Sequence, residues 1–172
     1  MSPDEIRPGV YVRSASADDL RAVVDIYNDA VTTRHSGAEA RPVPVEARRS
    51  WLMHRDPRRP VWVAEENGAV VAWISLDAFR PNPGYGRTAE VNVYAAPPAR
   101  GRGIGEALVR RALARSPGLE IDVLLAFILG VNRPTLALFA KVGFATWGVL
   151  PDVVVHDGNP APVVIVGRRL QR

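Results

Sequence analysis

The feature that most constrains the fold is a glycine-rich segment, Arg100-Gly101-Arg102-Gly103-Ile104-Gly105, between a predicted strand and a predicted helix. Glycine is a poor helix residue, so three alternating glycines at a helix start require a reason, and close approach of another group to the backbone is one. A helix N-terminus after a strand presents unpaired N–H groups and the positive end of the helix dipole, which together attract anions. The segment therefore predicts either a phosphate-binding turn, with the arginines adding charge, or a turn that only reverses the chain.

Two common phosphate-binding loops fit this segment less well. A Walker A loop ends in Gly-Lys-Ser or Gly-Lys-Thr, whereas Glu106 follows the last glycine here. A dinucleotide fingerprint has the spacing G-x-G-x-x-G after the first strand of a βαβ unit, whereas this segment has G-x-G-x-G in the middle of the chain. Both alternatives are disfavoured by residue type and by context.

The hydrophobic pattern divides the chain into strands and helices. An apolar helical face over residues 20–31 predicts the first helix, and Asn67-Gly68 between two apolar runs predicts a β-hairpin. The predicted order β-α-α-β-β-β-α-β-α-β-β is typical of an α/β or α+β protein, a mixed sheet with helices on its faces. The predicted strands are residues 10–14, 61–66, 70–76, 88–94, 121–127, 146–150 and 163–168.

Composition indicates a soluble globular protein with a single domain over residues 1–172. Of its residues 47% are hydrophobic and 23% charged, and no apolar run approaches the roughly 20 residues that cross a bilayer. The absence of cysteine excludes disulfides and a Cys nucleophile. The first ten residues lack a signal-peptide pattern, so we expect a cytoplasmic protein with no membrane role.

The charge pattern favours a small phosphorylated ligand over nucleic acid. The 22 basic residues are scattered among 18 acidic ones, and the one local excess, Arg100, Arg102, Arg110, Arg111 and Arg115, surrounds the glycine segment. The three histidines have no clustered carboxylates at metal-ligand spacing, so we expect no metal.

Two segments together resemble the GNAT acyltransferase superfamily: the glycine segment, which matches its coenzyme A loop, and the later run from Asn132-Arg133-Pro134-Thr135 to Lys141-Val142-Gly143-Phe144. The resemblance implies a GNAT fold, with a mixed, mostly antiparallel sheet of about six to seven strands and helices on both faces. It also implies acetyl-CoA as the acyl donor. The implied cofactor-binding residues are Val93, Tyr94, Ala95, Arg100, Gly101, Arg102, Gly103, Ile104, Gly105 and Asn132. Asn132 also suits a helix N-cap.

A narrower resemblance lies in the run Tyr85-Gly86-Arg87-Thr88-Ala89-Glu90-Val91-Asn92-Val93-Tyr94. It is similar to the Tyr-x-x-Thr-x-Glu-x-x-Val-Tyr signature of phosphinothricin and methionine sulfoximine N-acetyltransferases. This branch implies acetylation of the primary amine of a small amino-acid-like molecule, in a homodimer. Because the sequence offers no plausible covalent nucleophile, we expect direct transfer.

Glu90 is the predicted general base. Strand alternation places Glu90, Asn92 and Tyr94 on one face, and a polar face in a covered sheet is costly unless it lines a cleft. Acetyl transfer requires a neutral amine, and a nearby carboxylate can take its proton. The residues alone favour an edge-strand carboxylate paired with an arginine. The match of Glu90 to the signature favours the general base instead.

The acceptor is less constrained by the sequence. Tyr85 matches a pocket tyrosine of the branch, Asn92 shares the face of Glu90, and Arg80 suits a carboxylate. Relatives carry a second basic residue where this chain has Asn82, and a Trp-x-Asp pattern where it has Pro160-Ala161-Pro162. The alternatives are therefore a peptide or protein N-terminus, an antibiotic, or a biosynthetic or regulatory CoA-binding module with another acyl donor.

The position of a leaving-group acid also departs from the superfamily. Many GNAT enzymes have a tyrosine in the later helix that protonates the thiolate, and this chain has Phe139 there. Because a thiolate is already a good leaving group, we expect catalysis without that hydroxyl.

Overall fold

The structure, a computed structural model, describes residues 4–33 and 41–170. Within these ranges the chain forms one eight-stranded sheet and four α-helices. The strands are β1 (Asp4–Arg7), β2 (Val10–Ser14), β3 (Val61–Glu66), β4 (Ala69–Ala78), β5 (Thr88–Ala95), β6 (Val123–Leu129), β7 (Ala145–His156) and β8 (Asn159–Arg169). The helices are α1 (Leu20–Thr32), α2 (Arg49–Met53), α3 (Ile104–Arg115) and α4 (Arg133–Lys141).

The strands are arranged in the order β1-β2-β3-β4-β5-β6-β8-β7. Every neighbouring pair is antiparallel except β5 and β6, which are parallel. The predicted α/β class and the mostly antiparallel mixed sheet are thus confirmed. The strand count exceeds the predicted six to seven because β1 is a four-residue strand with a single apolar residue, Ile6, which gives no clear strand pattern.

Each face of the sheet has its own apolar core. Alternate side chains of β5, among them Ala89 and Val91, pack in one core with Leu108 of α3 and Phe139 of α4. On the opposite face, α1 and α2 cover β3 and β4 through a second core that includes Trp73. The sheet is therefore covered on both sides, and a polar side chain that points from β4 or β5 toward α1 and α2 enters an enclosed space.

The parallel strands β5 and β6 separate along their length. Three pairs join them, and the last is Glu90 with Leu125. Beyond that pair β5 continues to Ala95 and β6 to Leu129 with no ladder between them. The sheet therefore opens directly after Glu90, between β5 and β6. No helix in the described ranges is both long and apolar enough to span a membrane.

Candidate active site

Three cross-strand pairs of β4 and β5 form the floor of a cavity of about 270 Å³. Asp77 is opposite Glu90, Ser75 opposite Asn92, and Trp73 opposite Tyr94. Because side chains alternate along a strand, all six point to the face that α1 and α2 cover. The other walls come from α1, α2 and the turn before α2; they are Val23, Val24, Tyr27, Arg48 and Trp51.

Asp77 is the centre of the polar network in this cavity. Its Oδ1 accepts hydrogen bonds from Trp51 Nε1 at 3.0 Å and from Arg55 Nη1 at 2.5 Å. Its Oδ2 accepts from Ser75 Oγ and from Asn92 Nδ2, the latter at 3.2 Å. A carboxylate has about four acceptor sites, so the Asp77 carboxylate is fully used within the protein.

The two carboxyl groups of the cavity differ in their protonation behaviour. Burial raises the pKa of Glu90, and the neighbouring negative charge of Asp77 raises it further; the Asn92 hydrogen bond and the Arg80 charge only partly oppose them. For Asp77, burial also raises the pKa, but the Arg55 charge and the hydrogen bonds from Arg55, Ser75 and Trp51 outweigh it and lower the pKa overall. Asp77 therefore stays ionised, while Glu90 binds a proton more readily than an ordinary glutamate.

Aromatic rings from the floor and from the α1 and α2 walls pack against one another around the cavity. The Tyr94 ring packs against Trp73 with centroids 4.7 Å apart and against Tyr27 at 5.3 Å. Trp51 meets Trp73 edge to face at 5.8 Å. The guanidinium of Arg48 lies 4.9 Å from the Tyr27 ring centroid, which places a positive charge at the cavity wall. The cavity thus combines an apolar enclosure with two carboxylates and one guanidinium.

The glycine segment forms the turn that leads into α3. Gly101 and Gly103 have φ of 71° and 78°, in the left-handed region that favours glycine, and Gly103 is the N-cap of the helix. The first turn of a helix leaves N–H groups without intrahelical partners, so the segment has the geometry of an anion-binding turn. The residues present therefore fit a phosphate-bearing cofactor such as acetyl-CoA.

The arginines of the glycine segment have protein partners. Arg100 forms an ion pair with Asp29 of α1, and its Nε donates to the Ala95 carbonyl at 3.0 Å. Arg102 pairs with Glu66 at 2.6 Å. These pairs leave the backbone as the main anion-binding part of the turn. The sequence does not reveal them, because both acidic partners are distant along the chain.

Asn132 and Phe139 lie at the start and on the inner face of α4. The Asn132 side chain accepts a hydrogen bond from the Thr135 N–H at 3.2 Å, so it caps the helix. Phe139 is 1% exposed and packs edge to face on Phe144 at 4.8 Å between centroids. Position 139 thus belongs to the core on the α3 and α4 side.

Arg80 and Tyr85 lie outside the cavity that contains Glu90. Both are exposed and contact Phe79, Arg80 with its guanidinium 5.1 Å from the ring centroid and Tyr85 at 5.4 Å between centroids. Phe79 also stacks on Phe127 of β6 at 6.3 Å. Among the predicted acceptor residues, the structure brings only Asn92 into the cavity with Glu90.

The cavity is also lined by candidate site residues that the sequence analysis missed: Arg48, Trp51, Trp73, Ser75 and Asp77. The sequence does contain a signal for three of them, because alternate positions of one strand share a face. These three are Trp73, Ser75 and Asp77 of β4. Arg48 and Trp51 give no such signal, because only the packing of α2 against β4 brings them to the cavity.

The sheet opens between two parallel strands, a glycine turn lies at the start of α3, and a carboxyl group lies at the opening. These features agree with the coenzyme A-dependent acyltransferase fold that the sequence resembles. A sequence model described as the Acetyltransferase (GNAT) family matches residues 20–144, which is more than half of the chain. The chain belongs to the GNAT acetyltransferase family and is an acetyl-CoA-dependent acyltransferase.

Two curated relatives resemble the chain over most of its length. It is 44% identical over 160 residues to the Bacillus subtilis protein named "Putative phosphinothricin acetyltransferase YwnH", covering 92% of this chain and 98% of that protein. It is 31% identical over 149 residues to the L-methionine sulfoximine/L-methionine sulfone acetyltransferase of Salmonella typhimurium, covering 86% of this chain and 87% of that one.

Among solved structures, the chain resembles the GNAT superfamily phosphinothricin acetyltransferase of Sinorhizobium meliloti, determined in complex with acetyl-CoA. The TM-score is 0.88 at 28% identity, and the match covers 94% of this chain and 89% of that one. The resemblance to phosphinothricin and methionine sulfoximine acetyltransferases is therefore confirmed.

Proposed function

We propose that this protein transfers the acetyl group of acetyl-CoA directly to the primary amine of a small amino-acid-like molecule, of the phosphinothricin or methionine sulfoximine type, with Glu90 as the general base. The observation that carries this proposal is the position of Glu90, which lines the cavity and is the last residue of β5 paired with β6 before the sheet opens. A carboxylate there reaches an amine that enters from the α1 and α2 side.

The protonation behaviour of Glu90 supports the base assignment. The transfer forms an amide C–N bond and breaks the thioester C–S bond, and the amine must first lose a proton. A general base works best when its pKa lies near the working pH. Burial and the Asp77 charge both move the Glu90 pKa upward, toward that range.

On the donor side, the proposal assigns cofactor contacts to the glycine turn, to the β5 backbone over Val93, Tyr94 and Ala95, and to Asn132. Acetyl-CoA supplies the acetyl group as an activated thioester. The turn residues Gly101 to Gly105 would hold phosphate oxygens through N–H groups at the positive end of α3. The part of β5 beyond Glu90 lies along the opening, where backbone groups can bind an extended chain.

On the acceptor side, the size of the cavity favours a small molecule. Its volume of about 270 Å³ is below the range of about 300–1,000 Å³ that is usual for drug-sized ligands. An amino-acid-like acceptor therefore fits better than a folded protein terminus or a large antibiotic. Two guanidinium groups are candidates for its carboxylate: Arg48 inside the cavity and Arg80 at its outside.

The test is release of free thiol from acetyl-CoA over a panel of phosphinothricin, methionine sulfoximine, free amino acids, peptides and aminoglycosides. Glu90→Gln should lower kcat/KM for the best acceptor about 10²- to 10⁴-fold while acetyl-CoA still binds. Glu120→Gln, at an exposed carboxylate, is the matched control and should be unchanged. Comparable activity of Glu90→Gln and Glu120→Gln would refute the base, and turnover only on peptides or aminoglycosides would refute the acceptor class.

We further propose that the protein is a homodimer that acts in the cytoplasm. Support for a dimer comes from β7, an edge strand with five exposed apolar residues: Trp147, Val149, Leu150, Val153 and Val155. Such a strand is suited to pairing with another chain. Light scattering should give twice the chain mass for the wild type and the single mass for Val153→Asp with Val155→Asp. A monomeric wild type would refute the dimer.

A further inference from the structure

Asp77 faces Glu90 across the strand pair but differs from it in one respect: all its acceptor sites are filled by the protein. Its four donors come from two parts of the fold. Ser75 and Asn92 belong to the sheet, whereas Trp51 and Arg55 belong to α2 and to the segment that follows it. A carboxylate with no free acceptor site is unsuited to binding an acceptor amine or receiving its proton.

The position of Asp77 gives it two other effects. Its hydrogen bonds to Trp51 and Arg55 hold α2, which carries one wall of the cavity, against β4. Its ionised carboxylate is the cross-strand neighbour of Glu90 in a largely buried site, where charges interact strongly. Arg55 also donates to the Leu76 carbonyl at 2.7 Å, so its guanidinium is fixed on the side of Asp77.

We propose that Asp77 is a positioning residue for acetyl transfer: it fixes the α2 wall of the acceptor cavity and presents a permanent negative charge to Glu90, which makes Glu90 a stronger base. This inference rests on the proposed role of Glu90. The other titratable or charged groups around the two carboxylates are Tyr27 from α1, Arg48 and Arg55 flanking α2, Arg80 after β4, and Tyr94 from β5.

The direction of the effect on activity follows from the charge. A base with a raised pKa is active above that pKa, so the acid limb of the kcat/KM profile marks its deprotonation. Removing the Asp77 charge stabilises ionised Glu90, so the limb should move to lower pH. We expect Asp77→Asn to move it down by about one pH unit and to lower the plateau kcat about threefold, because the base becomes weaker.

The matched variants separate charge from structure. Asp77→Glu keeps the charge and should leave the limb at the wild-type pH. Trp51→Phe removes one hydrogen bond and part of the wall but no charge, so it should raise the acceptor KM without moving the limb. Asp25→Asn, an exposed change on α1, should alter neither quantity.

A second variant covers the case in which Asp77→Asn fails to fold. Arg55→Met with Asp77→Leu removes both charges of the buried pair, a change that folded proteins often tolerate, and it should also move the limb down. As a readout besides activity, the Glu90 carboxyl can be titrated by ¹³C NMR in each variant without substrate.

The outcomes distinguish the two proposals. In one outcome, Glu90→Gln loses activity, but the Asp77 variants move neither the acid limb of the kcat/KM profile nor the NMR titration of Glu90. That result would overturn the role of Asp77 and leave the role of Glu90 standing. Retained activity in Glu90→Gln would overturn the base itself, whatever the Asp77 variants do. A limb that moves equally in Trp51→Phe and Asp77→Asn would overturn the charge effect in favour of a purely structural one.

Discussion

Gly103→Ala tests whether the left-handed geometry of the glycine turn determines its function. Gly103 has φ of 78°, and a Cβ added there would lie 3.1 Å from Arg7 Nη1. The left-handed conformation costs a non-glycine residue about 1–2 kcal/mol. Alanine regains about 0.4–1 kcal/mol by restricting the unfolded chain. The contact with Arg7 adds little to the destabilisation, because it involves the flexible end of an exposed side chain.

We therefore expect Gly103→Ala to lower the free energy of unfolding by about 1 kcal/mol, which corresponds to a Tm about 2–4 °C lower for a chain of this size. Urea denaturation measures the stability, and calorimetry measures acetyl-CoA binding. If alanine relaxes toward negative φ, the N–H groups of the turn no longer converge, and the Kd should rise at least about tenfold, or roughly 1.4 kcal/mol.

Two controls identify the physical cause. Gly118 lacks positive φ and has open space around its Cβ position, so Gly118→Ala should be neutral or slightly stabilising. Gly103→Asn should lose less stability than Gly103→Ala, because asparagine tolerates the left-handed region better than alanine does. The reasoning is wrong if Gly103→Ala is as stable as Gly118→Ala. Coupling above about 0.5 kcal/mol with Arg7→Ala would instead assign the loss to the side-chain contact.

Two further predictions concern residues that support the site from outside. Arg59 is 7% exposed and donates a hydrogen bond to the Gly86 carbonyl at 2.6 Å. Arg59→Met should therefore lower the free energy of unfolding, measured by urea denaturation, by about 1–3 kcal/mol. The exposed control Arg58→Met should lose at most about 1 kcal/mol, and equal losses in the two variants would contradict the prediction. Phe139→Ala removes a core ring that packs on Phe144 and should cost about 3–5 kcal/mol; a loss under 1 kcal/mol would mean that the ring is not part of the core.

The β5 face shows what could be predicted from the sequence. Alternation placed Glu90, Asn92 and Tyr94 on one face, and the structure has all three at the same cavity. Alternation is a local property of extended backbone, so a single strand is enough to reveal it. A second local signal, the Asn-Gly turn, correctly identified the hairpin at Asn67-Gly68, whose two turn residues have φ of 51° and 79°.

The sequence analysis missed Asp77 because it placed the end of the strand too early. The predicted strand over residues 70–76 stops one residue short of it, whereas β4 continues to Ala78. Asp77 and Ala78 are residue types of low strand propensity, so the strand pattern in the sequence ends at Leu76. The strand continues because its neighbours in the sheet do, with Asp77 paired to Glu90 and Ala78 to Ala89. Pairing with a distant strand is a tertiary effect that one strand's sequence does not show.

The C-terminal hairpin shows a similar effect. Predicted strands over residues 146–150 and 163–168 become β7 and β8 of twelve and eleven residues. Asp152 interrupts the predicted pattern with φ of 54°, and the register shifts between Leu150 and Val154, so β7 continues past an irregularity. Pro160 and Pro162 lie in β8 rather than in a loop.

The two carboxylates explain why a polar face is stable inside a covered sheet. The Asp77 carboxylate is buried as an anion at low energetic cost, because Arg55 and three further donors surround it. The hydrogen bonds from Trp51 and Arg55 also hold α2 over the cavity. Glu90 forms no ion pair with an arginine within residues 4–33 and 41–170, and its burial therefore raises its pKa. An ordinary surface ion pair would have lowered that pKa and weakened the base. The network thus concentrates the stabilising contacts on Asp77 and leaves Glu90 with a raised pKa, which is the division of roles that the proposed general base requires.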